Sequence, residues 1–201
     1  MERFDAMAGD FDTDKRNHRA NIVADKIRKH IEPGANKTAM EYGCGTGLVG
    51  LYLVDDFASL LFVDSSPEML KQVKQKNPAA LTLCADLLES VPVNFKVDYF
   101  FSSLVQHHIK DTEDALRRFY DMLNDGGHLL IVDIDEEDGS FHAKYPDFDG
   151  HNGFSHSYLV ELARKVGFKA ATAETFYRDV KVFEGKESLY SLFILDAKKI
   201  I

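Results

Sequence analysis

Long apolar runs are missing from this 201-residue chain. A membrane-spanning helix needs about 18 or more consecutive apolar residues, and no stretch approaches that, so no span is expected. The opening Met1-Glu-Arg-Phe-Asp-Ala-Met-Ala-Gly-Asp10 is acidic where a secretory leader would be apolar. Cysteine is scarce: Cys44 and Cys84 are the only two, and neither suggests a disulfide framework. These absences together predict a cytoplasmic protein. Basic charge is also short, with 24 Lys and Arg against 33 Asp and Glu and a net charge of −9. Phosphate contacts need clustered cations, whereas Lys71 to Lys76 and Lys198-Lys199 read as solvated faces. No nucleic-acid partner is expected, and a small-molecule substrate becomes the default. Internal repeats and low-complexity linkers are absent too. What remains, 45% apolar and 28% charged residues, is the composition of one soluble globular domain with room for a full core.

Short apolar runs alternate with helical periodicity, the pattern of a parallel sheet flanked by helices. Ala20, Val23, Ala24, Ile27 and Ile31 mark a helix over 16–31, ended by Pro33-Gly34. Residues 37–42 read as a strand, 48–54 as a helix opened by glycines, and 58–63 as a strand covered on both faces. Ser65-Ser66-Pro67-Glu68 is a helix start, with a Ser cap, Pro in the first turn and an acid at the positive end of the dipole. That helix runs to about Lys76. Strands follow at 81–84 and 97–102, then a helix at 111–123 that stops at Asn124-Asp125-Gly126-Gly127. A strand at 128–134, a helix at 157–166 closed by Gly167, and strands near 169–175 and 189–196 complete the chain. The expected fold is α/β: a doubly wound, seven-stranded, mostly parallel sheet with helices on both faces and an antiparallel last strand. One domain is predicted, with an N-terminal lid and helix (1–35), a cofactor-binding core (36–135) and a substrate-side loop with the C-terminal strands (136–201). In such sheets ligands lie beyond the carboxyl ends of the strands at the switch point.

Glu41-Tyr42-Gly43-Cys44-Gly45-Thr46-Gly47 places alternate glycines between a strand and a helix, where a Cβ would block the tight turn and a ligand's approach to the backbone. About twenty residues on, Asp64 ends the second strand, where a carboxylate can accept ribose hydroxyls. Cys84-Ala85-Asp86-Leu87 puts another acid at the end of the third strand. These segments resemble successive motifs of the class I S-adenosylmethionine-dependent methyltransferases. Phe100-Phe-Ser-Ser-Leu-Val-Gln-His-His-Ile109 and Leu123-Asn-Asp-Gly-Gly-His-Leu129 resemble the fourth and fifth. The likeness is close over 36–135. Asp133-Ile-Asp-Glu-Glu-Asp-Gly-Ser-Phe-His142 and His151-Asn-Gly-Phe154 resemble an uncharacterised, small-molecule-type bacterial branch. The resemblance implies S-adenosylmethionine as cofactor. It sets Glu41, Gly43, Cys44, Gly45 and Gly47 around the methionine end, Asp64 and Ser65 at the ribose, Asp86 and Leu87 at the adenine, and Ser102 and Ser103 beside the methyl. It also implies an N-terminal lid carrying Phe4 and Phe11.

Methyl transfer from a sulfonium is an in-line displacement, so alignment and exclusion of water carry much of the catalysis. A base is needed only for a protonated nucleophile. His107 and His108 are the candidates on the rim, unless one caps the next helix and the other packs under the loop. His142, Tyr145, Phe148 and His151 are expected to join Phe4 and Phe11 in an apolar acceptor wall, or else to order their own loop. Such a wall suits an apolar or partly aromatic acceptor better than a polyanion. Asp133, Asp135, Glu136, Glu137 and Asp138 crowd the fifth strand's end. They are able in principle to hold Mg²⁺, but are expected to form a solvated acidic turn with no metal. The fourth motif lacks the Asn/Asp-Pro-Pro-Tyr pattern of amino-methylating DNA enzymes. No Pro-Cys dipeptide and no paired-glutamate loop of the arginine methyltransferases is present. Two rivals remain: a non-catalytic, cofactor-binding regulatory subunit, and an NAD-dependent dehydrogenase using Gly45-Thr-Gly-Leu-Val-Gly50. The second would bury Gly43 and Cys44 in the strand and bring Asp64 too near the loop.

Overall fold

Strand and helix segments alternate along a computed structural model that describes residues 2–32, 36–89 and 95–200, with side chains from Asp5 onward. Seven strands form one sheet: β1 (Thr38–Tyr42), β2 (Ser59–Asp64), β3 (Leu81–Cys84), β4 (Val97–Ser103), β5 (Leu123–Ile134), β6 (Ala170–Phe183) and β7 (Lys186–Lys198). Their order is β3-β2-β1-β4-β5-β7-β6. β1 to β5 pair in parallel, and β7 runs antiparallel to both β5 and β6. The expected doubly wound sheet with an antiparallel last strand is therefore the one that forms. The order reverses between β1 and β4, which opens the ligand crevice at Tyr42 and Ser103.

Successive residues of a strand face opposite sides, and the apolar runs fill both. Met40, Tyr42, Phe100 and Ile131 pack under α4 (Thr112–Asp121) and α5 (His156–Val166). Ala39, Phe62, Phe101 and Val132 pack under α2 (Asp14–Arg28) and α3 (Pro67–Lys76). Fully buried rings such as Phe62, Phe100, Phe101 and Phe119 stabilise the sandwich by about 1.5–3 kcal/mol each. A short α1 (Glu2–Met7) precedes α2. Ser66 caps α3 by accepting from the Met69 N–H, with Pro67 in the first turn, as its sequence predicts. Asp111 caps α4 in the same way, through the Asp114 N–H.

Several boundaries differ from the sequence expectation. The helix expected over 48–54 is replaced by two single 3-10 turns, Gly50–Tyr52 and Val54–Asp56. The cause is close approach to the sheet: a Cβ on Gly50 would lie 2.2 Å from Glu41 Oε2 and 2.6 Å from Phe62 Cε1. The segment is drawn flat against β1 and β2, and a full helical turn has no room. The glycine exit at 124–127 is absorbed into β5, pinned to Lys199 by paired backbone bonds. α2 spans 14–28 rather than 16–31, and the Pro33-Gly34 stop lies outside the described residues. β6 and β7 run well beyond their expected ends, joined at Glu184-Gly185. β5 pairs with β7 only as far as Leu192, so residues 176–191 project past the sheet as a two-stranded arm. No helix among the described residues is long and apolar enough to cross a membrane.

Candidate active site

A cavity of about 240 Å³ opens at the switch point, between the ends of β1, β2 and β4 and the underside of α2. Its floor is Glu41 to Gly45, with Asp64 and Ser65 on one side and Ser103, Leu104, Val105 and His108 on the other. Gly43 takes φ +65°, and a Cβ there would stand 2.4 Å from Val105 Cγ2, so only glycine allows the chain to turn here. The Gly45 N–H donates to Asp64 Oδ2 at 2.7 Å and the Ser66 N–H to Asp64 Oδ1 at 2.9 Å. Asp64 thus ties the glycine loop to the start of α3 while keeping lone pairs free for a ligand. Burial raises its pKa, against those two backbone bonds.

Glu41 is the unusual member. Its side chain is 2% exposed, and Oε2 has no hydrogen-bond partner. Burial pushes its pKa to about 8, opposed by the Gly50 N–H and reinforced by the neighbouring Asp64. A buried acceptor with nothing to accept is costly, and here it borders a cavity, which marks the place of a missing donor. Burial, with Glu41 and Asp64 nearby, also pushes the Cys44 thiol well up, so Cys44 is a wall and not a nucleophile.

The roof comes from the N-terminal segment. Phe11, Arg16, Arg19, Ala20 and Val23 line the cavity. Asp12 holds this roof down, accepting from the Thr46 hydroxyl and pairing with Lys76, while Asp5 accepts from the Ser66 hydroxyl. Arg16, Arg19, Ala20 and Val23 follow the i, i+3, i+4, i+7 stripe of one helix face. That signal was present in the sequence, but the arginines on it were not expected in the site.

His108 separates this cavity from a second one of about 300 Å³, walled by residues 144–150. Tyr145 and Phe148 line that second space. Next to His108, His107 is buried and lines neither. Its Nδ1 lies 2.6 Å from Asp133 Oδ1, and its backbone N–H donates to Asp133 Oδ2 at 3.1 Å. Asp133 is fully buried and also accepts from the Ile134 N–H.

Several expected site residues fall elsewhere. Gly47 faces Val73 and Leu51 under the loop, and Ser102 turns to the opposite side of β4 from Ser103. Leu87 is in the core, and Asp86 accepts from the Tyr42 hydroxyl at 3.0 Å and the Leu88 N–H at 2.9 Å; neither lines the cavity. His142 is buried, stacked on Phe148 at 3.6 Å and 9°, with its pKa lowered to about 3 by burial and by His107, His108 and Lys181. His151 lies within hydrogen-bond distance of the Ile109 and Lys110 carbonyls and orders its own loop. The side chain of Phe4 lies outside the described residues. The expected solvated acidic turn is only partly one. Asp133 is buried, and Asp135 contacts His156 Nε2 at 2.6 Å and accepts from the Thr175 hydroxyl. Glu137 accepts from Ser140 and Phe141. Glu136 and Asp138 alone are exposed.

A family profile described as a methyltransferase domain matches residues 40–129. An uncharacterized methyltransferase of Oceanobacillus iheyensis is 23% identical over 175 residues, covering 85% of this chain and 76% of that protein. Over residues 40–129 the chain is thus similar to the methyltransferase domain of S-adenosylmethionine-dependent enzymes. A tRNA U34 carboxymethyltransferase of Shewanella denitrificans is 31% identical over 55% of this chain and 37% of its own length. Haemonchus contortus phosphoethanolamine N-methyltransferase 2, solved with phosphomonomethylethanolamine and S-adenosylhomocysteine, shares the fold. Its TM-score is 0.71 at 19% identity, over 89% of this chain and 52% of that one. The methyltransferase's cofactor is S-adenosylmethionine, and the cavity suits it. Its methionine end needs an acceptor for an ammonium, and Glu41 Oε2 is a buried acceptor without a donor. It needs a cation for a carboxylate, and Arg16 reaches over the Phe11 ring at 4.2 Å, beside the glycine loop.

Proposed function

We propose that this methyltransferase acts on a small molecule that enters beside His108, between α2, the end of β4 and the 136–155 loop. Bound S-adenosylmethionine supplies an electrophilic methyl and a neutral thioether leaving group. The rest of the work falls to the chain. Glu41 and the glycine loop hold the methionine end, Asp64 and Ser65 the ribose, and Ser103 with Leu104 closes the floor where transfer occurs. Leu104 is held at φ +58°, a strained setting for a non-glycine residue that aims the chain from Ser103 toward His108. The N-terminal segment shuts out water, latched by Asp12 to Thr46 and Lys76. At about 240 Å³ the space is smaller than the roughly 300–1,000 Å³ of ordinary ligand sites, as a closed lid would leave it.

His108 is the residue placed to take a proton from the acceptor, since it borders both the cofactor cavity and the second space. His107 is a positioning residue. Asp133 fixes its ring and backbone, and its ring centroid lies 4.1 Å from that of His108. The observation that carries this reading is the convergence of Glu41, Asp64, Ser103 and His108 on one cavity. A small acceptor accords with the substrate in the Haemonchus neighbour's structure. RNA, the substrate named for the Shewanella relative, accords poorly with a charge of −9. The division into lid, core and substrate-side segments, in one domain working in the cytoplasm, is part of the same proposal. Its test is methyl transfer from labelled S-adenosylmethionine across a panel of amines, phenols, thiols and carboxylates. Product from at least one, lost in His108→Ala, supports the reading; strong cofactor binding with no product from any acceptor favours a regulatory subunit.

A further inference from the structure

Arg16 and Arg19 both line the cofactor cavity, and no carboxylate among the described residues pairs with either. Arg19 reaches across to β7, where its Nη1 contacts the Tyr190 hydroxyl at 3.4 Å. Lys181, on the projecting arm, lies on the Phe141 ring at 3.9 Å and donates to the Phe141 carbonyl. It too has no carboxylate partner among the described residues. Phe141 packs edge-on to Tyr190 at 5.0 Å, so the ammonium and the guanidinium flank one aromatic pair. Three cations are thus drawn into a half-buried space with their preferred partners missing.

No nearby acid among the described residues forms an ion pair with these cations. Asp12 pairs with Lys76, Asp179 pairs with Lys15 and accepts from Tyr177 and Tyr190, and Glu137 accepts from Ser140 and Phe141 through Oε2. Glu137 Oε1 is buried without a partner, and it attracts Lys181 without reaching it. Burial first, and then Arg19 and Arg16, lower the Lys181 pKa to about 8. Arg16 is lowered by burial and by Arg19. Such mutual repulsion persists only where something else stabilises it. The cofactor does not suffice, because it carries one carboxylate against an ammonium and a sulfonium and so adds net positive charge. One guanidinium answers that carboxylate, and Arg16, next to Phe11 and the glycine loop, is the one placed to do so. The other two cations remain.

We infer that Arg19 and Lys181, brought together by α2 and the β6–β7 arm, bind a carboxylate or phosphate group on the methyl acceptor. The inference rests on the small-molecule reading above and narrows it to anionic acceptors, away from the apolar acceptor expected from sequence. A planar guanidinium fork matches either oxyanion, and the lysine adds a point charge.

Calorimetric titration of the S-adenosylhomocysteine complex with inorganic phosphate and with acetate, against matched sodium chloride, tests it. At least one anion should bind saturably in the millimolar range, and the tighter one assigns the acceptor's charge to phosphate or carboxylate. Arg19→Gln and Lys181→Gln should each weaken that binding at least fivefold while S-adenosylhomocysteine affinity stays within twofold. Anion binding no stronger than chloride, or unchanged in both variants, would overturn the site. So would loss of S-adenosylhomocysteine binding in Arg19→Gln, which would return that guanidinium to the cofactor. If wild-type protein does not bind S-adenosylhomocysteine, the cofactor reading fails separately, and the same anion titration on the free protein still decides the Arg19–Lys181 site.

Discussion

Proton release on cofactor binding follows directly from the state of Glu41. In the free protein its carboxyl is held at about 8 by burial, so at pH 6.5 it is about 97% protonated. An ammonium placed against Oε2 favours the carboxylate and returns the group toward its ordinary 4.5. Binding S-adenosylhomocysteine at pH 6.5 should therefore release about 0.95 proton. The number is read by calorimetry in buffers of different ionisation enthalpy. Affinity should rise roughly tenfold per pH unit from 6 toward 8 and then level off. The same carboxyl shapes stability. The folded state binds more protons than the unfolded state between pH 4.5 and about 8, so the free protein loses stability as pH rises through that window. Full ionisation without a partner costs of order 5 kcal/mol. Glu41→Gln should flatten both curves and release no proton. Release below about 0.3 proton at pH 6.5, or release that persists in Glu41→Gln, would refute the ammonium site.

Asp64→Asn should lower S-adenosylhomocysteine affinity at least tenfold, because charge-assisted hydrogen bonds contribute about 1.5–3 kcal/mol each. Unchanged affinity in a folded variant would remove the ribose role. Gly50→Ala forces a Cβ to 2.2 Å from Glu41 Oε2 and should cost about 1–3 kcal/mol in denaturant unfolding, as overpacking does. A neutral effect would mean the 50–56 turns are free to move. His142 binds its proton only below about 3, whereas an unfolded histidine binds near 6.5. Stability should therefore fall as pH drops from 6.5 toward 3, and His142→Leu should lessen that loss in acid unfolding curves. Residues 5–12 should exchange amide hydrogens faster in the free protein than in the S-adenosylhomocysteine complex; equal protection would rule out a lid.

The floor of the cavity was legible because its determinants are local. A glycine loop between strand and helix signals, and an acid at the next strand's end, need only period and spacing, and they place Glu41, Gly43, Gly45 and Asp64 on the cavity. The acceptor half depends on contacts between distant segments, which period and spacing do not report. Arg16 and Arg19 lie on the apolar stripe of α2, but charge on a helix is ordinarily solvated, and only the sheet beneath shows that this face is covered. Asp133 belongs to a run of acids that reads as exposed; β5 is covered on both faces up to Ile134, which buries Asp133 against His107. The reach of β6 and β7 was hidden because Arg178, Asp179 and Lys181 break the apolar pattern of an arm that is only partly covered.

The central claim is that Glu41, Asp64 and His108 surround one cofactor. A crystal structure with S-adenosylhomocysteine tests it most directly. The amino group is expected on Glu41 Oε2, the ribose hydroxyls on Asp64, and the sulfur facing the space between His108 and Arg19. A nucleoside lying away from Asp64, or a sulfur pointing away from His108, would contradict the account.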